Sequence, residues 1–145
     1  MIPRVGEPVR ADQSYRHRPG AYAILVRGDR VLLTHQSRPQ PEYQLPGGGV
    51  DPGEHILPAL HREILEETGW KAGFLKRLGA FRRFTFMPEY NLWAEKLCNV
   101  YVGQPTVRHG DPSEPDHHAV WMPPAFAIDA VANEGDRLFL KKLFG

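Results

Sequence analysis

The sequence predicts a single domain of the α/β (α+β) class over all 145 residues, and three observations carry that prediction. Two β-rich runs, Gly20 to Arg27 and Arg30 to Gln36, meet through Gly28-Asp29, a hairpin signal. Between Gly53 and Gly69 the pattern turns helical, with apolar residues on one side and glutamates on another. After two more strand-like runs, Pro123-Pro124 opens a helical C-terminal segment.

Taken in order, residues 1–19 are polar and proline-marked, with Arg16, His17 and Arg18 clustered at the end. They read as an irregular N-terminal arm with room for a short edge strand, and the basic cluster reads as a solvated face. The hairpin follows. Arg38 to Glu42 holds two prolines and forms a loop, and Tyr43-Gln44-Leu45 is a short strand running into Pro46-Gly47-Gly48. Pro58 lacks a backbone donor and is tolerated only in a first turn, so the helix begins near His55 to Leu57. Gly69 ends it in a left-handed cap. Lys71 to Phe86 and Leu92 to Val102 have strand composition, with Met87 to Asn91 turning between them. Gln104 to Pro115 is loop, and His118 to Met122 a short strand. In the next helix Phe126, Ala127, Ala130 and Val131 fall at helical spacing; Asn133 to Gly135 breaks it, and Asp136 caps a last helix through Leu143. No repeat, low-complexity run or linker divides the chain.

Composition excludes several classes. The chain is 41% hydrophobic and 24% charged, with a net charge of +1. Extended nucleic acid and anionic membrane are therefore not expected partners, and electrostatic recognition must be local. The single cysteine, Cys98, allows no internal disulfide and suits a reducing compartment. The longest apolar run, Ala21 to Val26, cannot span a bilayer, and Met1 to Gln13 lacks the apolar core of a signal peptide. A cytoplasmic location is the expectation.

The chemistry lies in the stretch Gly48 to Trp70. On a helical wheel Leu57, Leu60, Ile64 and Leu65 share one side, while Glu63, Glu66 and Glu67 share another. Ala59 lies on the acidic face and is small enough to let a ligand approach. Like charges three and four residues apart oppose each other by roughly 0.2–0.5 kcal/mol per pair. A face that tolerates this repulsion is suited to a cation, and carboxylate oxygens favour a hard divalent ion: Mg²⁺ first, with Mn²⁺ as a substitute, accompanied by substrate phosphates.

The spacing of Gly48, Glu54, Arg62, Glu63, Ile64, Glu66, Glu67 and Gly69 resembles the box of the Nudix hydrolase family. Trp70 departs from it, since an aliphatic residue is usual there. The Tyr43-to-Gly48 approach is also similar to that family. The resemblance implies an α/β/α sandwich, with a mixed sheet between helices, from about Gly20 onward. It implies Mg²⁺-dependent hydrolysis of the pyrophosphate in a nucleoside diphosphate linked to another group, such as a nucleotide sugar, a dinucleoside polyphosphate or a (d)NTP. Glu66 and Glu67 match its metal ligands, Glu63 a ligand or the general base, and the Gly47 carbonyl a further ligand. Gly48, Gly69 and the pair Glu54–Arg62 match structural positions. Family members differ in where the base sits, so Glu114 and Asp116 in the later loop are candidates.

Substrate contacts fall outside the box. Arg82, Arg83, Phe84, Phe86, Tyr90, Trp93 and Lys96 mix cations with aromatics that could hold phosphates and stack a base, and Arg38 and Tyr43 lie just upstream. His117 and His118 read as surface or structural residues, and Cys98 as core. Two other functions remain compatible: a nucleotide-sensing domain without catalysis, and an isomerase of isopentenyl diphosphate, for which Cys98 has no supporting motif. A homodimer is compatible with the sequence, which marks no interface.

Overall fold

The computed structural model describes residues 1–145. Its strands are β1 (Arg4–Val5), β2 (Arg16–Arg27), β3 (Arg30–Gln36), β4 (Glu42–Gln44), β5 (Gly47–Gly49), β6 (Trp70–Met87), β7 (Leu92–Arg108) and β8 (His117–Met122); its helices are α1 (Ile56–Thr68), α2 (Pro124–Ala130) and α3 (Glu134–Phe144). All eight strands join one sheet with the order β1-β6-β7-β2-β3-β4, to which β5 adds on β2 and β8 on β3. Two pairings are parallel, β1 with β6 and β2 with β7, and the others are antiparallel, so the sheet is mixed.

Alternation along the central strands builds the layers. Ala21, Ala23 and Leu25 of β2, with Leu32 and Tyr101, face α1 and pack on Leu60 and Ile64. Ile24, Val31, Leu33, Phe81, Cys98 and Val100 point the other way and meet Ala127, Val131, Phe139 and Leu140 from the α2–α3 side. The result is an α/β/α sandwich with a separate apolar core on each face of the sheet. Burying a side chain such as Phe81 or Leu60 stabilises the fold by about 1.5–3 kcal/mol.

The hairpin forms as expected, with Gly28 at φ 59° and Arg27 opposite Arg30. Other expectations need correction. The irregular arm ends at Tyr15, because Arg16 through Leu25 pair in parallel with Ala94 through Gly103. Backbone bonding, not apolar side chains, recruits Arg16 to Pro19 into the sheet. For the same reason β7 continues to Arg108 through what composition marks as loop: Gln104 pairs with Gly73 and Arg108 with Trp70. Leu57 and Phe126 are exposed, and the buried faces of their helices are carried by Ala59, Leu60 and Ile64 in α1 and by Ala127 in α2. Asn133, not Asp136, caps α3, its side chain accepting the Gly135 N–H at 2.7 Å.

Candidate active site

Helix α1 ends where it does because Gly69 adopts φ 77° and returns its N–H to the Leu65 carbonyl at 2.8 Å. A Cβ at Gly69 would collide with the Gly110 carbonyl oxygen. That close approach lets the following loop, 109–116, bond to the end of the helix: His109 N–H donates to Gly69 O at 2.7 Å and Glu114 N–H to Glu66 O at 2.9 Å. Glu114, distant in sequence, is thereby brought to the acids of α1.

Residues four apart lie above one another on a helix, so Ala59, Glu63 and Glu67 form one line. Its lower end faces protein: Ala59 is buried and offers no ligand an approach. Against the line runs β5. Gly47, at φ 148°, leaves no space for a Cβ beside the Ala21 carbonyl. Its N–H donates to Glu67 Oε1 at 3.0 Å. At Gly48 an added Cβ would sit 2.7 Å from the Glu63 Cδ, because that carboxylate lies directly over the strand. The glycines of the approach are what allow two carboxylates to rest on the backbone.

Arg62 ties the preceding loop to the acids. Its Nη2 donates to Glu54 Oε1 and Oε2 at 3.2 and 3.0 Å, and its Nη1 to Glu63 at 3.3 Å and Glu66 at 3.4 Å. Glu54 also accepts the Asp51 N–H at 3.0 Å, which together with Arg62 holds its carboxyl below the usual range. Burial has the opposite effect on the deeper acids. It raises Glu63, helped by the charges of Glu66 and Glu114 and opposed by Arg62. Glu67, 8% exposed, is pushed up to about 8 by burial and by Glu63, Glu114 and Glu66, against the Gly47 N–H.

These acids are coupled without converging. No three Asp, Glu, His or Cys side chains surround a common ion position, since Arg62 draws Glu63 and Glu66 one way and Gly47 draws Glu67 another. Their chemistry nonetheless suits a divalent ion. All are hard oxygen donors, and Glu63 and Glu67, raised chiefly by burial and further by neighbouring acids, gain from a positive charge. Glu63, Glu66, Glu67 and the Gly47 carbonyl are the oxygen donors that could hold such an ion, with Glu63 and Glu66 at present bonded to Arg62.

Beside the acids lies a cleft in two lobes of about 240 Å³ each, with Tyr22 and Lys96 as their common wall. The first lobe carries Glu63, Arg62, Arg18, Asp51, Met87 and Tyr90, and the Arg18 guanidinium sits 4.8 Å over the Tyr90 ring. The second carries Gly47, Gln36, Gln44, Asn133, Asp136 and Arg83. Of the residues singled out for substrate contact, Arg83, Tyr90 and Lys96 thus stand on these walls. Arg38, Tyr43 and Arg82 line neither lobe. Tyr43 packs edge-on against His35 and bridges to Val131, and Arg82 pairs with Glu95 at 3.7 Å. Phe84, Phe86 and Trp93 form an aromatic cluster with Tyr15 of the arm. Asp116 turns at φ 66° and its carbonyl accepts from Ser37, leaving Glu114 as the loop acid whose charge reaches Glu63 and Glu67.

The residues that sequence reasoning passed over are Arg18, Gln36, Gln44, Asn133 and Asp136 on the cleft walls, and His117 beside Glu67. Proximity in the fold selects them, and nothing in their local spacing does.

The sequence profile of the NUDIX domain matches residues 16–143. The chain is 39% identical over 74 residues to a putative 8-oxo-dGTP diphosphatase of Bacillus subtilis, covering 51% of this chain and 50% of that protein. It is 40% identical over 78 residues to an RNA pyrophosphohydrolase of Caulobacter vibrioides, covering 51% and 45%. The chain thus spans about half the length of these curated relatives. Its fold superposes on the MutT NUDIX hydrolase of Burkholderia pseudomallei with a TM-score of 0.69 and 26% identity, over 88% of this chain and 98% of that one. A mutator MutT protein of Bacillus halodurans superposes with a TM-score of 0.72 at 23% identity, over 88% and 83% of the two chains, a likeness of fold.

Proposed function

The chain belongs to the Nudix hydrolase family, and we propose that it cleaves a phosphoric anhydride bond of a nucleotide, with a nucleoside 5′-triphosphate as the preferred class and Mg²⁺ as the ion. The observation that carries this reading is the junction of the acids with the cleft. Glu63 lies over Gly48 at the edge of a lobe that also holds Arg18, Arg62 and Lys96. Three cations there suit a polyphosphate. The adjoining lobe, with the carboxamides of Gln36, Gln44 and Asn133 and the carboxyl of Asp136, suits the hydrogen-bonding edge of a nucleobase. The names of two relatives, a putative 8-oxo-dGTP diphosphatase and an RNA pyrophosphohydrolase, support a nucleoside triphosphate over a nucleotide sugar.

A bound divalent ion supplies neutralisation of the anhydride oxygens and polarisation of the phosphorus. The chain supplies the rest. Glu66, Glu67 and the Gly47 carbonyl would hold the cation, with Glu63 either a further ligand or the base. Arg18 and Lys96 hold the phosphate chain in the first lobe. One carboxylate, Glu63 or Glu114, takes a proton from the attacking water as its oxygen bonds to phosphorus, and the anhydride P–O bond breaks with departure of the phosphate leaving group. The brace between Glu54 and Arg62 keeps the loop against the helix. No helix of the chain is long and apolar enough to cross a membrane.

The test is a product analysis with Mg²⁺ over a panel: dGTP, 8-oxo-dGTP, the other (d)NTPs, ADP-ribose, a dinucleoside polyphosphate and a 5′-triphosphorylated oligoribonucleotide. The expected result is fastest release of phosphate or pyrophosphate from a free nucleoside triphosphate. Fastest cleavage of ADP-ribose contradicts the substrate class. Tight nucleotide binding without any turnover turns the chain into a sensor.

A further inference from the structure

We propose that His117 is a positioning residue for the Glu67 carboxylate, holding Oε2 while the Gly47 N–H holds Oε1. The proposal rests on the reading of Glu67 as a ligand of the divalent ion. His117 stands at the start of β8, where the register sets it opposite Gln36, and β8 packs against α1. Its Nε2 lies 4.0 Å from Glu67 Oε2, with the two side chains 9% and 10% exposed. That separation is longer than a hydrogen bond, so the proposed contact requires the Glu67 carboxylate to move toward the ring.

The ring is itself held. Thr34 Oγ1, fully buried in β3, lies 2.9 Å from His117 Nδ1 and 3.3 Å from the Glu67 carbonyl oxygen. The hydroxyl has one proton for two acceptors, the Glu67 carbonyl and, at the shorter distance, Nδ1; given to Nδ1, it leaves the proton of the neutral imidazole on Nε2, the nitrogen that faces Glu67. Thr34, His117 and Glu67 thus form a chain of contacts from the sheet to the acid. A histidine serving only to fill space needs neither a buried hydroxyl on Nδ1 nor a carboxylate facing Nε2. Partners that orient a metal-binding carboxylate contribute about 10–100-fold to metal affinity when lost.

The experiment titrates Mn²⁺ into the folded proteins, reading free ion by electron paramagnetic resonance, and measures turnover at varied Mg²⁺ in parallel. His117→Phe is expected to weaken Mn²⁺ binding by about 10–100-fold. The Mg²⁺ concentration for half-maximal rate rises with it, and the nucleotide KM stays unchanged. His117→Gln, which retains an N–H donor, recovers part of the loss, and Thr34→Val shows a smaller loss of the same sign. Wild-type Mn²⁺ affinity in His117→Phe, with binding abolished in Glu67→Gln, overturns the proposal and leaves the metal reading standing. Wild-type affinity in Glu67→Gln removes the metal reading and the proposal together. If His117→Phe does not fold, Thr34→Val decides: an affinity equal to wild type overturns the assignment.

Discussion

Asp136 lies in the first turn of α3, 4% exposed, and its Oδ2 accepts the Leu45 N–H at 3.2 Å. Burial pushes its carboxyl from 3.8 up to about 7, against that N–H, Arg83 and Lys96, with Glu42 adding to the rise. The folded state therefore holds a proton between these values that the unfolded chain releases. Stability falls as pH rises from about 4 to about 7, and above that the whole cost of a buried anion is present. Asp136→Asn removes the charge and keeps an oxygen for Leu45. It is expected to be neutral near pH 4 and to stabilise by about 1–3 kcal/mol at pH 8, read from denaturant midpoints at the two pH values. An Asp136→Asn protein less stable at pH 8 than at pH 4, relative to wild type, contradicts this account. Asp136 and Leu45 are 91 residues apart, and Thr34 and His117 are 83 apart. Neither contact has a local pattern, so the sequence reads Asp136 as a cap and His117 as a surface or structural residue. The box acids are legible for the opposite reason: Glu63, Glu66 and Glu67 recur at helical spacing, and Arg62, the partner of Glu63 and Glu66, lies on the same helix.

At the scale of elements, the join between α1 and the loop 109–116 decides whether Glu114 belongs to the site. Gly69 makes that join by its left-handed backbone and by the lack of a Cβ against the Gly110 carbonyl. Gly69→Ala carries both the conformational penalty, about 1–2 kcal/mol, and a clash with backbone that must move. The expected outcome is a loss of about 2–4 kcal/mol in chemical denaturation, with reduced turnover in the fraction still folded because Glu114 is displaced. A loss below about 0.5 kcal/mol means that the loop does not depend on this approach. The helix and its cap were readable because proline, glycine and the apolar spacing all bear on one short segment. The ends of β2 and β7 were not, since Arg16 to Pro19 and Gln104 to Arg108 are strands only by virtue of their neighbours in the sheet. Trp70, the one residue of the box that departs from the family pattern, packs edge-on against Trp121 at 5.5 Å beneath the Arg27 guanidinium. Its larger ring is accommodated by a partner outside the motif.

The whole molecule is a sheet with two independent apolar cores and a site where one of its helices meets a glycine strand. The core under α2 and α3 fixes β2, β3, β6 and β7; the core under α1 holds the acids against β5. Carboxylates coupled on one face, a cationic lobe beside them and a lobe rich in carboxamides are the features on which the proposed divalent ion, phosphate chain and base rest. The most direct measurement of that claim is Mg²⁺-dependent hydrolysis of a nucleoside triphosphate by wild type and Glu67→Gln, with circular dichroism on both. The account predicts a Glu67→Gln protein that is folded, binds Mg²⁺ poorly and turns over at least ~100-fold more slowly. A folded Glu67→Gln protein hydrolysing at the wild-type rate contradicts it.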